Sequence, residues 1–201
     1  MATLQDSVVE LCALVGEALA RATWALLNAD PALARRVVEA DRDVDRRTAA
    51  LEAELWREVD EGGTARPVRE LVAALLVLPE LERSADLAEH IAQRAEGGLG
   101  AEMSPASRGV VQRMSEVALA MWQATTGAFL SGSATPEELD HADEELDVLH
   151  ARLTAIVAGG AMDPAVAAQV TLLARFYERL GDHAVNLSRR VGAFRPSSPG
   201  A

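Results

Sequence analysis

Apolar residues recur along the chain at the helical period of about 3.6. Val37, Val44, Leu51 and Leu55 share one side of a helix, as do Val166, Val170, Leu173 and Leu180. Proline behind a capping residue opens several such runs: Asp30-Pro31, Ser104-Pro105, Thr135-Pro136 and Asp163-Pro164. The capping oxygen accepts an amide of the first turn, and proline's missing N–H costs nothing there. Thr135 and Glu138 read as a capping box, and Gly62-Gly63, Thr64 and Pro67 separate two further runs. The pattern predicts six helices over residues 3–28, 31–60, 66–96, 105–130, 136–158 and 164–193. Short loops make consecutive helices antiparallel neighbours. Pro79 predicts a kink within the third helix, and the closing FRPSSPGA predicts a frayed tail.

The helices fall into two sets of three. Val37, Val44 and Leu51 match Leu139, Leu146 and Leu153 at an offset of 102, and ERSADLA matches ERLGDHA at an offset of 96. The expected fold is all-α, with two tandem three-helix bundles related by internal duplication. The repeats are expected over residues 1–100 and 101–201, with the boundary in GGLGAEMSP.

Each repeat carries two acidic pairs at helical spacing. Asp41 and Asp45 lie on the second helix and Glu82 and Asp86 on the third; Asp143, Asp147, Glu178 and Asp182 repeat the pattern. Facing residues of an antiparallel hairpin have position numbers with a constant sum. Pairing Asp45 with Glu82 and Asp41 with Asp86 centres the first turn at 63.5; pairing Asp147 with Glu178 and Asp143 with Asp182 centres the second at 162.5. Both centres fall in turns already marked by glycine and proline. Four carboxylates therefore converge on one level of each hairpin. Two unit charges about 5 Å apart repel by roughly 3 kcal/mol at an effective dielectric near 20. Bound cations, arginines, protonation or divergence into solvent must offset that. Arg83 and Arg179 follow the glutamates but point about 100° away from them, and His141 is the one cation-forming residue within 137–147.

Composition narrows the chemistry. The chain has 201 residues, a net charge of −12 and only 3% aromatic residues. Such acidity excludes a nucleic-acid partner on electrostatic grounds. All nineteen basic residues are arginine, so lysine-dependent phosphate cradles and Schiff bases are absent. Cys12 is the single cysteine, which rules out an intrachain disulfide or thiolate zinc site and predicts a small buried hydrophobe. Trp24, Trp56 and Trp122 are expected to anchor packing. No signal-peptide pattern and no run of about 18 apolar residues occurs, which predicts a cytoplasmic location.

An oxygen-only site suits Mg²⁺, Ca²⁺, Mn²⁺ or ferric iron rather than zinc. Bundle-type di-iron enzymes add a Glu-x-x-His motif, which neither ExxxD supplies. Asp147 and His150 come nearest, with Thr48 at the equivalent place in the first repeat. His183, beside Asp182, is expected at the surface or behind the ligands. A metal-dependent hydrolase or oxidase remains an alternative, as does a bundle whose acidic faces are merely solvated.

YERLGDHAVNLSRRV resembles the signature of PhoU proteins, bacterial regulators of phosphate uptake and signalling. LERSADLAEHIAQRA resembles its first-repeat copy, departing from it at Ala85, where glycine is usual, and at Pro79. EADRDVDRRTAALEAEL and HADEELDVLHARL resemble the family's middle-helix motif. The resemblance spans nearly the whole chain. It implies a non-enzymatic negative regulator that contacts the ATPase of a phosphate ABC transporter and a sensor histidine kinase, reaching the membrane only through partners. It also implies multinuclear metal clusters, one on Asp41, Asp45, Glu82 and Asp86 and one on Asp143, Asp147, Glu178 and Asp182. Homodimers occur in the family. Service to a low-affinity phosphate carrier is the alternative within it.

Overall fold

The structure, a computed structural model, describes residues 3–62, 66–131, 136–160 and 162–194. Seven α-helices occur among them: α1 (Leu4–Asn28), α2 (Pro31–Asp60), α3 (Val68–Glu96), α4 (Leu99–Glu102), α5 (Pro105–Ser131), α6 (Pro136–Ala158) and α7 (Pro164–Ser188). Helices α1–α3 form one bundle and α5–α7 a second, joined along α1/α5 and α3/α7 into one hydrophobic core. None of these helices is long and apolar enough to cross a membrane.

The capping oxygens do what the sequence predicts. Asp30 Oδ1 accepts from Leu33 N at 2.9 Å, Ser104 Oγ from Ser107 N at 3.1 Å and Asp163 Oδ1 from Ala165 N at 2.8 Å. Thr3 and Asp6 add a reciprocal capping box at the start of α1. The expected box at Thr135, most of the GGT turn and the C-terminal tail lie outside the described residues.

Several expectations need correction. The last helix ends at Ser188, and Val191–Phe194 forms a 3₁₀ turn that buries Phe194 against Phe129, with ring centroids 5.4 Å apart. Pro79 lies inside α3 as the sequence places it, and the helix runs continuously from Val68 to Glu96. Trp122 is buried and donates from Nε1 to Leu180 O at 3.2 Å. Trp24 and Trp56, by contrast, are 52% and 50% exposed. Each stands on the outer flank of its helix while Leu26 and Leu55 fill the interior. Cys12 is buried as expected, and burial pushes its thiol up to about 12.

The connection between bundles carries the short α4, which the sequence pattern does not announce. Gly100 there lies so close to α1 that a Cβ would sit 1.9 Å from the Leu26 carbonyl oxygen. Arg108, from the first turn of α5, donates to both Leu27 O and Gly100 O. One guanidinium thus ties the end of α1, the linker and the second bundle together.

A second close approach sets the spacing of the acidic helices. A Cβ on Gly181 would meet Leu146 Cδ1 at 2.5 Å and Asp143 Oδ1 at 3.0 Å. Gly181→Ala gains about 1 kcal/mol of helix propensity but overpacks a fully buried leucine, at a cost of roughly 1–3 kcal/mol. A net loss of about 1 kcal/mol is expected, read as a midpoint lowered by about 2–4 °C in a thermal melt. A raised midpoint would mean that Gly181 does not set the α6–α7 distance.

Candidate metal centre

In the first repeat, α2 and α3 cross at the level given by the hairpin register. Asp41 and Asp86 meet there with a third acid, Glu89; carboxylate oxygens of all three lie within 4.8 Å of one another. Burial pushes the Asp41 carboxyl up to about 7, helped by the charges of Asp45, Glu89, Asp86 and Glu82. Glu82 is raised too, first by burial and then by Asp86, Asp45 and Glu52. All four acids expected in this repeat therefore feel one another's field.

Glu89 is the residue that duplication hides. Its counterpart at an offset of 96 is Val185, so it belongs to no repeated motif. The signal was nonetheless present: Glu82, Asp86 and Glu89 follow i, i+4, i+7, one flank of a helix.

Salt bridges in this region leave the cluster alone. Arg46 pairs with Asp43 and Arg47 with Glu10, while Arg66 holds Glu54 at 3.2 Å and Glu58 at 2.6 Å. Among the described residues, no basic group bridges Asp41, Asp45, Glu82, Asp86 or Glu89. One turn beyond Asp45, Thr48 is buried with Oγ1 lacking a hydrogen-bond partner. A hard, oxygen-only donor set in which Asp41 and Glu82 are raised and no basic group forms a salt bridge, Arg83 acting on Glu82 only through its field, fits a divalent or trivalent cation.

In the second repeat the acids feel one another's charge, but among the described residues no three of them bring oxygens within 4.8 Å of one another. Burial pushes Asp143 up to about 6, with Asp182, Asp147, Asp140 and Glu178 adding to the effect. Here, however, Arg175 bonds Glu178, His150 Nδ1 lies 3.8 Å from it, and Arg189 reaches Asp140 at 3.3 Å. Arg175 occupies the place of Pro79, and His150 that of Thr48. The two hairpins share a backbone plan and differ in counter-charge.

His183 is not at the surface. It is 8% exposed, with Nδ1 bonded to Glu80 Oε2 across the α3–α7 seam. Beside it, Phe176 packs on His90 with centroids 5.5 Å apart and lies under the Arg94 guanidinium at 4.6 Å. These contacts join the two bundles across the α3–α7 seam.

A doubled three-helix bundle with an acidic hairpin in each half defines a class of helical, carboxylate-rich proteins. The model of the PhoU domain matches residues 8–95 and 111–191, and the chain belongs to the PhoU family. The phosphate-specific transport system accessory protein PhoU homolog 1 of Mycobacterium leprae is 31% identical over 95% of this chain and 88% of that protein. The PhoU homolog 2 of Mycobacterium tuberculosis is 31% identical over 95% of this chain and 92% of its own length. The crystal structure of PhoU from Pseudomonas aeruginosa has the same fold, with a TM-score of 0.84 over 94% of this chain and 93% of that one at 24% identity.

Proposed function

We propose that this chain is a regulatory accessory protein of phosphate transport whose docking to its partners depends on bound metal. Membership of the PhoU family and the likeness to mycobacterial phosphate-specific transport system accessory proteins support the transport assignment. The observation that carries the metal reading is the convergence of Asp41, Asp86 and Glu89 within 4.8 Å, with no basic side chain among the described residues answering them. Asp45 and Glu82 complete the donor set in the first repeat; Asp143, Asp147, Glu178 and Asp182 form the weaker one, where Arg175 must first yield. Manganese, iron, magnesium and calcium all fit oxygen donors.

The ion supplies positive charge with open coordination positions. The chain supplies the geometry: the hairpin holds the acids at one level, and the proton that burial favours on Asp41 leaves when a cation enters. The resulting patch can hold carboxylate or phosphate oxygens of a partner. The partners proposed are the transporter's ATPase subunit and a phosphate-sensing histidine kinase in the cytoplasm, with a negative regulatory and non-enzymatic role.

Metal content tests the site directly. After chelation and dialysis against Mn²⁺, Asp41→Asn/Asp86→Asn is expected to lose most bound ion, while Asp143→Asn/Asp182→Asn keeps the first-repeat ion. Equal retention by both variants and by wild type would remove the metal reading. The adaptor role is tested separately, by whether the ATPase and kinase co-purify with the wild type and not with the first-repeat variant.

A further inference from the structure

The flank of the first hairpin that carries the acids does not end with them. With about 100° per residue, Asp41, Asp45, Glu52, Trp56 and Val59 stay within about 40° of one another's mean line along α2. On α3, Val68 and Val72 continue the flank of Glu82 and Asp86 toward the hairpin tip. The register sets Val59 opposite Val68, and Trp56 one residue from the level of Val72. Trp56, Val59, Val68 and Val72 are 50%, 41%, 66% and 51% exposed, with Leu76, at 52%, on the outer edge. Large exposed side chains standing singly are ordinary. Here four follow one another along the tip half of a single hairpin flank, which marks a contact surface.

The second repeat does not share this patch. Trp56 is matched by Ala158, Val68 by Pro164 and Val72 by Ala168; only Leu76 has an apolar counterpart of size, Leu172. Duplication therefore does not account for it, and the fold does not require it.

Charge selects the occupant. The rest of the flank is Asp41, Asp45, Glu52, Glu82, Asp86 and Glu89, six acids against the single Arg83 at its edge, and the fields of Glu52 and Arg83 both reach Glu82. A second copy of this chain, itself at −12, would bring like charges together. An anionic membrane would be repelled in the same way. The geometry points to a docking site on the α2–α3 hairpin for a basic amphipathic helix of a partner protein, its apolar face on Trp56, Val59, Val68 and Val72 and its arginines or lysines toward the acidic belt. The inference stands on the apolar residues and does not require a metal ion.

The test uses the full chain in chelator, with a fluorescent synthetic helix bearing leucines on one face and arginines on the other. Wild type should bind it. Val68→Ser/Val72→Ser, which leaves charge and core unchanged, should bind about tenfold or more weakly, whereas Leu172→Ser should bind as wild type does. A peptide with glutamate in place of arginine should also bind about tenfold or more weakly. Unchanged binding by the double variant overturns the site. So does a wild-type dimer in sedimentation that the double variant abolishes, or vesicle binding that depends on Val68 and Val72 while peptide binding does not.

Discussion

Gly100→Ala is expected to lower the thermal midpoint by roughly 6–12 °C, the equivalent of about 3 kcal/mol in a chain of this size. The new methyl would lie 1.9 Å from the Leu26 carbonyl oxygen. That neighbour is backbone, so no rotamer change relieves the overlap. Either α4 lifts from α1 or the last turn of α1 opens. Lifting α4 also pulls the Gly100 carbonyl from Arg108, which bonds Leu27 O at the same time. Hydrogen bonds to a charged group contribute about 1.5–3 kcal/mol, so both losses fall on one joint. The gain in helix propensity, about 1 kcal/mol, is too small to reverse the sign. A scanning calorimetry trace within about 2 °C of wild type would show that the linker does not pin the two bundles.

This joint is where sequence pattern stops being informative. Caps and the hydrophobic period locate the long helices because those signals act within a turn or two of the residue that carries them. Gly100 and Arg108 act through α1, more than seventy residues earlier in the chain. In GGLGAEMSP, glycines read simply as a break.

The same limit explains the tryptophans and His183. Hydrophobicity places Trp56 near a core, but its position relative to Glu52 puts it on the acidic flank, where its Nε1 lies 3.5 Å from the Glu52 carboxylate. His183 sits beside Asp182 and reads as exposed until α3 closes over it with Glu80. Within each hairpin the register was legible from spacing alone. The difference between hairpins was not, because the duplication directs attention to shared acids and away from Pro79 and Arg175, Thr48 and His150, Glu89 and Val185. Those unshared positions decide how each cluster is neutralised.

Asp41→Asn should shift stability in opposite directions depending on whether metal is present. In chelator at pH 7.5 the variant is expected to melt above wild type, because it removes one of several crowded negative charges. The sign follows from linkage. Asp41 is held at about 7 and Asp143 at about 6, against 3.8 for an ordinary aspartate. Between roughly pH 4 and pH 7 the folded chain keeps protons that the unfolded chain releases, so stability of the metal-free protein falls as pH rises through that window. Both groups are only half-buried, and solvent screening reduces the effect to about 1–2 kcal/mol. The asparagine amide does not titrate, so the variant's stability should lose much of that slope and gain roughly 2–6 °C at neutral pH. With Mn²⁺ the order reverses. An ion at about one hundred times its dissociation constant stabilises the folded state by about 2.7 kcal/mol, and wild type alone should receive that in full. A variant less stable than wild type in chelator would make Asp41 a structural acceptor instead, and an undiminished response to Mn²⁺ would remove it from the donor set.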